Sequence, residues 1–336
     1  MAPVSLVTGA AGFIGSHLAR HLRLQGHRVV GVDDLSGGFR DNLPDDVDLK
    51  VGSTIDAEFI QRLFKNIAFD YVFHLAAYAA EGLSHYIRRF NYMNNVIGSV
   101  NLINQAVIHG VKRFVFTSSI AVYGAGQLPM TEDMQPRPED PYGIAKYAVE
   151  LDLEAAHHQF GLDYTIFRPH NVYGEHQNIG DKYRNVVGIF MNQIMQGRPL
   201  TIFGDGTQTR AFSYIADVAS IIASSIANPT AVNNVYNIGA DHPYTVNELA
   251  GVVAATFGVA PDIRYLPARN EVLHAYSSHA RLHADFGEVK PTTLEVGVGR
   301  MAKWAQDVGA RRTKEFEGVE VWKNFPEGWR GAVSEP

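Results

Sequence analysis

Short apolar runs alternate along the first half of the chain with longer segments whose apolar positions recur three and four apart. The runs Val4–Val7, Arg28–Val32, Val47–Val51, Tyr71–Leu75, Phe114–Thr117 and Tyr164–Phe167 read as strands buried on both faces. The segments between them, 13–25, 56–66, 91–109 and 142–160, carry the period of amphipathic helices. Strands joined through helices form right-handed crossovers, so this alternation predicts an α/β fold with a doubly wound parallel sheet. After Arg168 the alternation weakens. Loops are expected at 174–185 and 197–210, with helices at 186–196, 214–227 and 245–257. Val235–Ile238 reads as a late strand returning to the main sheet.

The turn between the first strand and the first helix carries three glycines, Gly9, Gly12 and Gly15. The helix that follows is expected to bury Leu18, Leu22 and Leu24. Gly9 allows a tight turn, Gly12 leaves no Cβ between backbone and phosphate, and Gly15 allows close helix packing. The helix N-terminus then faces a dinucleotide pyrophosphate. The second strand ends on Asp33, placed to accept hydrogen bonds from the adenosine ribose hydroxyls and to repel a 2′-phosphate. Together these select NAD over NADP. They predict a Rossmann-type NAD-binding domain over residues 1–172, with a return segment near 212–240. A smaller, discontinuous, mixed α/β substrate domain is expected over 173–336.

Composition narrows the function. The 336 residues are 46% hydrophobic, enough for a sizeable core. A formal net charge of −6 and the lack of any Lys/Arg-rich block argue against nucleic-acid binding. With no cysteine there is no disulfide, thiolate metal site or cysteine nucleophile, which fits the cytoplasm. No apolar run is long enough to span a bilayer, and the chain enters its first strand without a signal-peptide pattern. The histidines show no helical pairing suited to a metal, and none is expected.

Candidate chemistry lies in the middle of the chain. Thr117, Ser118 and Ser119 follow the fifth strand, at the carboxyl edge where parallel sheets bind ligands. Tyr142 and Lys146, four apart, share one face of the next helix. Tyrosine is a poor base at neutral pH, but a nearby ammonium or a cationic nicotinamide favours the phenolate.

These features resemble the extended short-chain dehydrogenase/reductase family, in particular its nucleotide-sugar epimerases and dehydratases. The resemblance covers most of the chain. It includes the glycine loop, Asp33, His74-Leu-Ala-Ala, Asn95, Ser119, Tyr142/Lys146, Arg168-Pro-His-Asn-Val-Tyr-Gly, Phe203-Gly-Asp-Gly-Thr-Gln-Thr-Arg210 and Tyr236-Asn-Ile-Gly. It implies that Tyr142 is the catalytic base, that Lys146 holds the nicotinamide ribose and that Ser119 assists at a sugar hydroxyl. NAD is expected against Gly9, Gly12, Phe13, Ile14, Gly15, Asp33, Ser53, Thr54, Leu75, Ala76, Ala77, Asn95, Thr117, Tyr142, Lys146 and His170. A UDP-, dTDP- or GDP-linked sugar is expected against Glu81, Ser119, Asn171, Asn185, Val186, Arg210, Arg269, Glu271 and Ala275.

Departures from the family patterns sharpen the reaction. The 4,6-dehydratases carry Asp-Glu where this chain has Ile120 and Ala121, the decarboxylases need a glutamate at Ala121, and the 3,5-epimerases use a cysteine. What remains is the minimal set for NAD-dependent C4 epimerisation of an NDP-hexose. The alternatives are C3/C5 epimerisation or 4-keto reduction, with Glu81 or a histidine as extra acid/base, and a dinucleotide-sensing regulator without turnover. The segment 77–87 departs from the usual 4-epimerase sequence and is expected to line the sugar pocket. The family pattern places Ala275 where pocket size is gated, so a bulky sugar substituent should fit. Helices 91–109 and 142–160 match the pair through which family members form homodimers. Near the end, Val321, Trp322, Phe325 and Trp329 read as anchors docking the tail onto the body.

Overall fold

The centre of the computed structural model is a sheet of seven parallel strands. The structure describes residues 2–269, 271–288, 290–312 and 316–329, so the end of the expected substrate domain, 330–336, lies outside it. The strands are β1 (Val4–Thr8), β2 (Arg28–Asp33), β3 (Asp48–Val51), β4 (Tyr71–His74), β5 (Arg113–Thr117), β6 (Tyr164–Pro169) and β7 (Asn234–Ile238). Their order is β7-β6-β5-β4-β1-β2-β3. The winding reverses between β1 and β4, and this switch opens a crevice at the carboxyl ends of the strands.

Period-two alternation feeds two apolar layers. Val7, Phe73, Val115 and Phe167 point to one face and meet Leu18 and Leu22 of helix α1 (Phe13–Leu24). Leu6, Val72, Phe114, Phe116 and Ile166 point to the other. There they meet helices α2 (Ala57–Asn66), α5 (Gly98–Ile108) and α6 (Pro141–Phe160) through Ile60, Phe64, Leu102 and Leu153. Leu24, expected in the core, is 85% exposed. It lies two positions beyond Leu22, about 200° around the helix, and so on the opposite side.

Two short helices precede α5: α3 (Glu81–Ser84) and α4 (Arg88–Tyr92). A π-helical turn over Met93–Ile97 joins α4 to α5, so the single helix expected at 91–109 starts earlier and widens at its middle. Helix α6 is started by Asp140, whose side chain accepts the Gly143 N–H at 2.9 Å, with Pro141 in its first turn. It stops at Gly161, where φ is +75°.

Beyond β6 the chain forms α7 (Val186–Met195), α8 (Ile215–Ser224) and α9 (Val246–Thr256). Helix α8 packs on α1, and β7 pairs with β6, so this part of the chain rejoins the sheet. The loop expected at 197–210 holds a strand, Leu200–Phe203, which pairs in parallel with Ile263–Leu266. Thr209–Ala211 pairs with Pro243–Thr245 and His274–Ala275. Helices α10 (Ala280–Phe286) and α11 (Leu294–Val308) were not anticipated. For α11 the signal was present: Thr293 caps it, and Leu294, Val298, Met301, Ala302 and Ala305 fall on one buried stripe. Among the described residues no helix is long and apolar enough to cross a membrane.

Candidate active site

A cleft of about 1480 Å³ lies over the carboxyl ends of β1, β4, β5 and β6 and reaches into the later part of the chain. Its first wall is the glycine turn. Gly9 has φ +67°, and a Cβ there would lie 2.9 Å from the Ala76 amide nitrogen. A Cβ on Gly15 would lie 2.0 Å from the Gly9 carbonyl oxygen, so α1 seats directly on the turn. No side chain caps α1 at Gly12. The first-turn residues Phe13 and Ile14 line the cleft, and their amides suit a pyrophosphate.

Asp33 lines the cleft with both oxygens oriented. One accepts the Ala11 N–H at 3.0 Å and the other the Leu35 N–H at 2.8 Å. Burial pushes its carboxyl above the usual range against these bonds. Ser53 and Thr54 line the same end, as do Leu75, Ala76 and Ala77. Thr8 Oγ1 accepts the Leu75 and Ala76 N–H groups, each at 3.2 Å. His74 clamps β4 between Thr8 Oγ1 at 2.7 Å and Ser99 Oγ at 2.8 Å. Burial lowers its pKa to about 3, so it is neutral.

Asn95 departs from the expected cofactor contact. Its side chain lies behind the cleft wall, accepting the Tyr78 N–H at 2.8 Å and donating to the Asn91 side-chain oxygen at 2.7 Å. It fixes the loop after Ala77 instead of facing the cleft.

Tyr142, Lys146 and Glu150 follow one another at four-residue spacing on one face of α6. Ser119 sits beside Tyr142, and its hydroxyl accepts the Ala121 N–H at 3.1 Å. The Lys146 ammonium donates to the Thr117 carbonyl at 2.7 Å. Thr117 lines the same cleft, and its Oγ1 is buried with no partner among the described residues. Desolvation raises the Tyr142 pKa against the influence of the nearby Ser119 hydroxyl, and lowers Lys146 to about 7 despite Glu150. Glu150 in turn is held by Arg168 through bonds of 3.0 and 2.5 Å and by the Ser118 hydroxyl.

His170 lines the cleft at the end of β6. Its Nδ1–H donates to the Ala211 carbonyl at 2.9 Å, and its Nε2 lies 3.1 Å from His279 Nε2. Burial and the neighbouring ring push it down to about 3.

At the far end the cleft is lined by Glu81, Asn171, Asn185, Val186, Arg210, Arg269, Glu271 and Ala275, bringing together every residue expected there. Arg210 is tied to the Val272 and Leu273 carbonyls at 2.5 and 2.8 Å and lies 3.6 Å from Glu271. Arg269 pairs with Glu271 at 3.0 Å. Asn171 and Asn185 hold φ values of +40° and +62°, a conformation asparagine tolerates better than most residues. Sequence reasoning missed Tyr78 and Arg184, which also line this end. The Arg184 guanidinium stacks 4.9 Å from the Tyr78 ring and pairs with Asp181 at 2.5 Å. The charged run Asp181–Arg184 just before Asn185 was the available signal.

The tail supplies the outer wall. Phe316 and Glu320 line the cleft, and Phe325 and Trp329 are buried against Leu83, Ile87 and Tyr86. The Glu320 carboxylate accepts the Arg89 and Phe90 N–H groups at 2.7 and 2.8 Å, capping α4. A Cβ on Gly82 would lie 3.0 Å from the Trp329 ring, so the indole rests on the turn beside Glu81. Trp329→Ala removes a ring whose burial contributes about 3 kcal/mol or more. We expect tryptic cleavage after Lys323 to accelerate roughly 100-fold, the opening that such an energy allows. An unchanged cleavage rate would show that these contacts do not hold the tail.

Comparison with known proteins agrees with this geometry. Residues 5–239 match the model of the NAD dependent epimerase/dehydratase family. A UDP-glucose 4-epimerase of Mycolicibacterium smegmatis is 35% identical over 272 residues, 79% of this chain and 86% of the relative. The crystal structure of a UDP-glucose 4-epimerase from Thermotoga maritima with UDP-glucose superposes with a TM-score of 0.86 at 33% identity, covering 91% of this chain and 99% of that one. A UDP-N-acetylglucosamine 4-epimerase of Methanobrevibacter ruminantium, in complex with UDP-N-acetylmuramic acid, gives 0.84 at 30% identity with the same coverage. The glycine turn, Asp33 and the Tyr142–Lys146 pair thus sit within a match that spans most of the molecule, and the chain belongs to the NAD-dependent epimerase/dehydratase family.

Proposed function

We propose that the protein is a nucleotide-sugar 4-epimerase that inverts C4 of an NDP-hexose through a transient 4-keto sugar, with UDP-sugars as first substrates. The observation that carries this reading is the continuity of one cleft from the glycine turn, past Tyr142 and Ser119, to Arg210 and Asn185. NAD, when bound, supplies a hydride acceptor and donor beside the sugar. Phe13 and Ile14 would hold its pyrophosphate, Asp33 its ribose, and Thr117 and Lys146 its nicotinamide end. Tyr142 takes the proton of the C4 hydroxyl and later returns it. In the protein alone, burial keeps Tyr142 a phenol. The Lys146 ammonium and a cationic nicotinamide favour its phenolate, so the base forms where the cofactor sits. Ser119 donates to the sugar oxygen and orients it. Arg210, Asn171 and Asn185 grip the diphosphate end, which leaves the sugar free to present either face. The UDP preference is supported by the UDP-sugar enzymes among the relatives, and the lack of cysteine supports a cytoplasmic location.

The direct test is incubation with UDP-glucose, UDP-galactose, UDP-N-acetylglucosamine, UDP-glucuronate, dTDP-glucose and GDP-mannose, with products read by proton NMR. A C4 epimer is expected from at least one UDP-sugar, and none from any would overturn the proposal. Tyr142→Phe should retain bound NAD and lose about 10²- to 10⁴-fold in kcat, the usual worth of a general base.

Ala275 packs with Ile120, Tyr123 and Met130 and lines the cleft with a methyl group. Ala275→Tyr should lower kcat/KM for UDP-N-acetylglucosamine at least about 10-fold more than for UDP-glucose. Equal losses would show that this position does not face the sugar.

We also propose a homodimer. Ile108 on α5 and Ile144 and Leu151 on α6 are 68%, 41% and 48% exposed. Ile144 and Leu151 lie two turns apart on one side of α6, a ready face for a four-helix interface. Light scattering should give twice the chain mass, and a monomer at working concentration would refute it.

A further inference from the structure

We infer that Glu81 is a second proton-transfer group at the sugar, removing and returning a carbon-bound proton at C3 or C5 next to the C4 carbonyl. The inference rests on the function proposed above and adds to it a reaction that inversion at C4 does not need.

The first support is availability. Seven other carboxylates line the cleft, and each is committed within the protein. Asp33, Asp34, Glu139 and Asp140 accept backbone N–H groups. Asp181 and Glu271 pair with Arg184 and Arg269, and Glu320 caps α4. Glu81 alone among the described residues lines the cleft with a carboxylate that has no hydrogen bond or ion pair. Placement is the second support. Glu81 opens α3, and this turn is pinned to the start of α6. Ser84 Oγ accepts the Tyr142 N–H at 3.2 Å and lies 2.6 Å from the Glu81 carbonyl and 3.3 Å from the Asp140 carboxylate. Glu81 therefore keeps a fixed position relative to the base, and Trp329 backs the turn from behind.

Its electrostatics suit the task. Glu81 is exposed to the open cleft, and desolvation by the cleft walls together with the Asp140 charge holds its carboxyl above the usual range, against Arg210 and Arg269. A carboxyl held above its usual range is better able both to take a proton and to return it. Ile120 and Ala121, next to Ser119, offer no competing acid or base.

The step balances within the sugar. With C4 oxidised to a ketone by NAD⁺, the Glu81 carboxylate takes the proton from C3 or C5. The C–H electron pair becomes the C=C bond of an enolate, whose negative oxygen is held by the Ser119 and Tyr142 hydroxyls. The enolate collapses back to the ketone as carbon takes a proton from the Glu81 carboxyl. No electron leaves the sugar in this step, and the carboxyl proton can exchange with solvent before it returns.

The test bypasses hydride transfer. NAD-loaded protein is mixed in heavy water with UDP-4-keto-6-deoxyglucose, a preformed ketone, and deuterium uptake at C3 and C5 is followed by NMR and mass spectrometry. Uptake well above the protein-free rate is expected. Glu81→Gln should lower it about 100-fold, with bound NAD retained and the melting midpoint unmoved, and Glu81→Asp should restore part of it. Wild-type uptake at the protein-free rate overturns the inference, as does full uptake by Glu81→Gln. Because the ketone is supplied ready-made, failure to epimerise any hexose would strike the proposed function and leave this result separate.

Discussion

The buried ion pair between Glu150 and Arg168 fixes the geometry on which the site depends. Glu150 lies on the same face of α6 as Tyr142 and Lys146, and Arg168 lies on β6. Both side chains are about 5% exposed. Arg168 also donates to the Tyr123 hydroxyl at 2.7 Å, which in turn donates to Asn237 on β7 at 2.8 Å. A buried pair of this kind adds little net stability over apolar packing, because desolvation offsets the attraction. Its effect is on register. An apolar contact would let α6 slide over the sheet by fractions of a turn, whereas a bidentate guanidinium–carboxylate fork accepts one arrangement. The base and the ammonium that tunes it are thereby set against Thr117 and Ser119.

The same burial decides the charge states around the sheet edge. His74 and His170 are neutral because desolvation dominates, outweighing even the Asp241 carboxylate that acts on His170. Lys146 is lowered but keeps Glu150 one turn away, so its charge can be recovered when a ligand adds further partners. Around the nicotinamide end the strands thus present neutral imidazoles beside the adjustable Lys146 cation.

What was legible in the sequence was local. The glycine turn, Asp33 and the Tyr142–Lys146 spacing encode their geometry within one element or one junction, where spacing in sequence is spacing in space. The sheet was legible because its strands are buried on both faces and read as apolar runs. Leu24 misled because a run of leucines is not a helical stripe. The role of Asn95 was not legible, since a cleft-facing amide and one bonded behind the wall to Tyr78 have the same sequence. Short strands such as His274–Ala275 carry too few positions to show a period. The contribution of the tail lay furthest from view: its aromatic residues announce burial, but nothing in them names Gly82 or Tyr86 as the surface they meet.

That last contact carries a consequence for how the cleft is built. The reacting groups sit on β5 and α6, tied down by Arg168 and Thr117. The wall over the sugar end, residues 78–90, is held by separate parts of the chain. Asn95 binds the Tyr78 backbone, Ser84 joins α3 to the start of α6, and Glu320 and Trp329 press from the tail. Substitutions in the tail can therefore reshape the sugar end while the Tyr142–Lys146 geometry stays in place. The Tyr142–Lys146 pair and the outer wall of the sugar end rest on largely different contacts, and this explains how an odd segment at 77–87 coexists with an intact Ser119–Tyr142–Lys146 constellation.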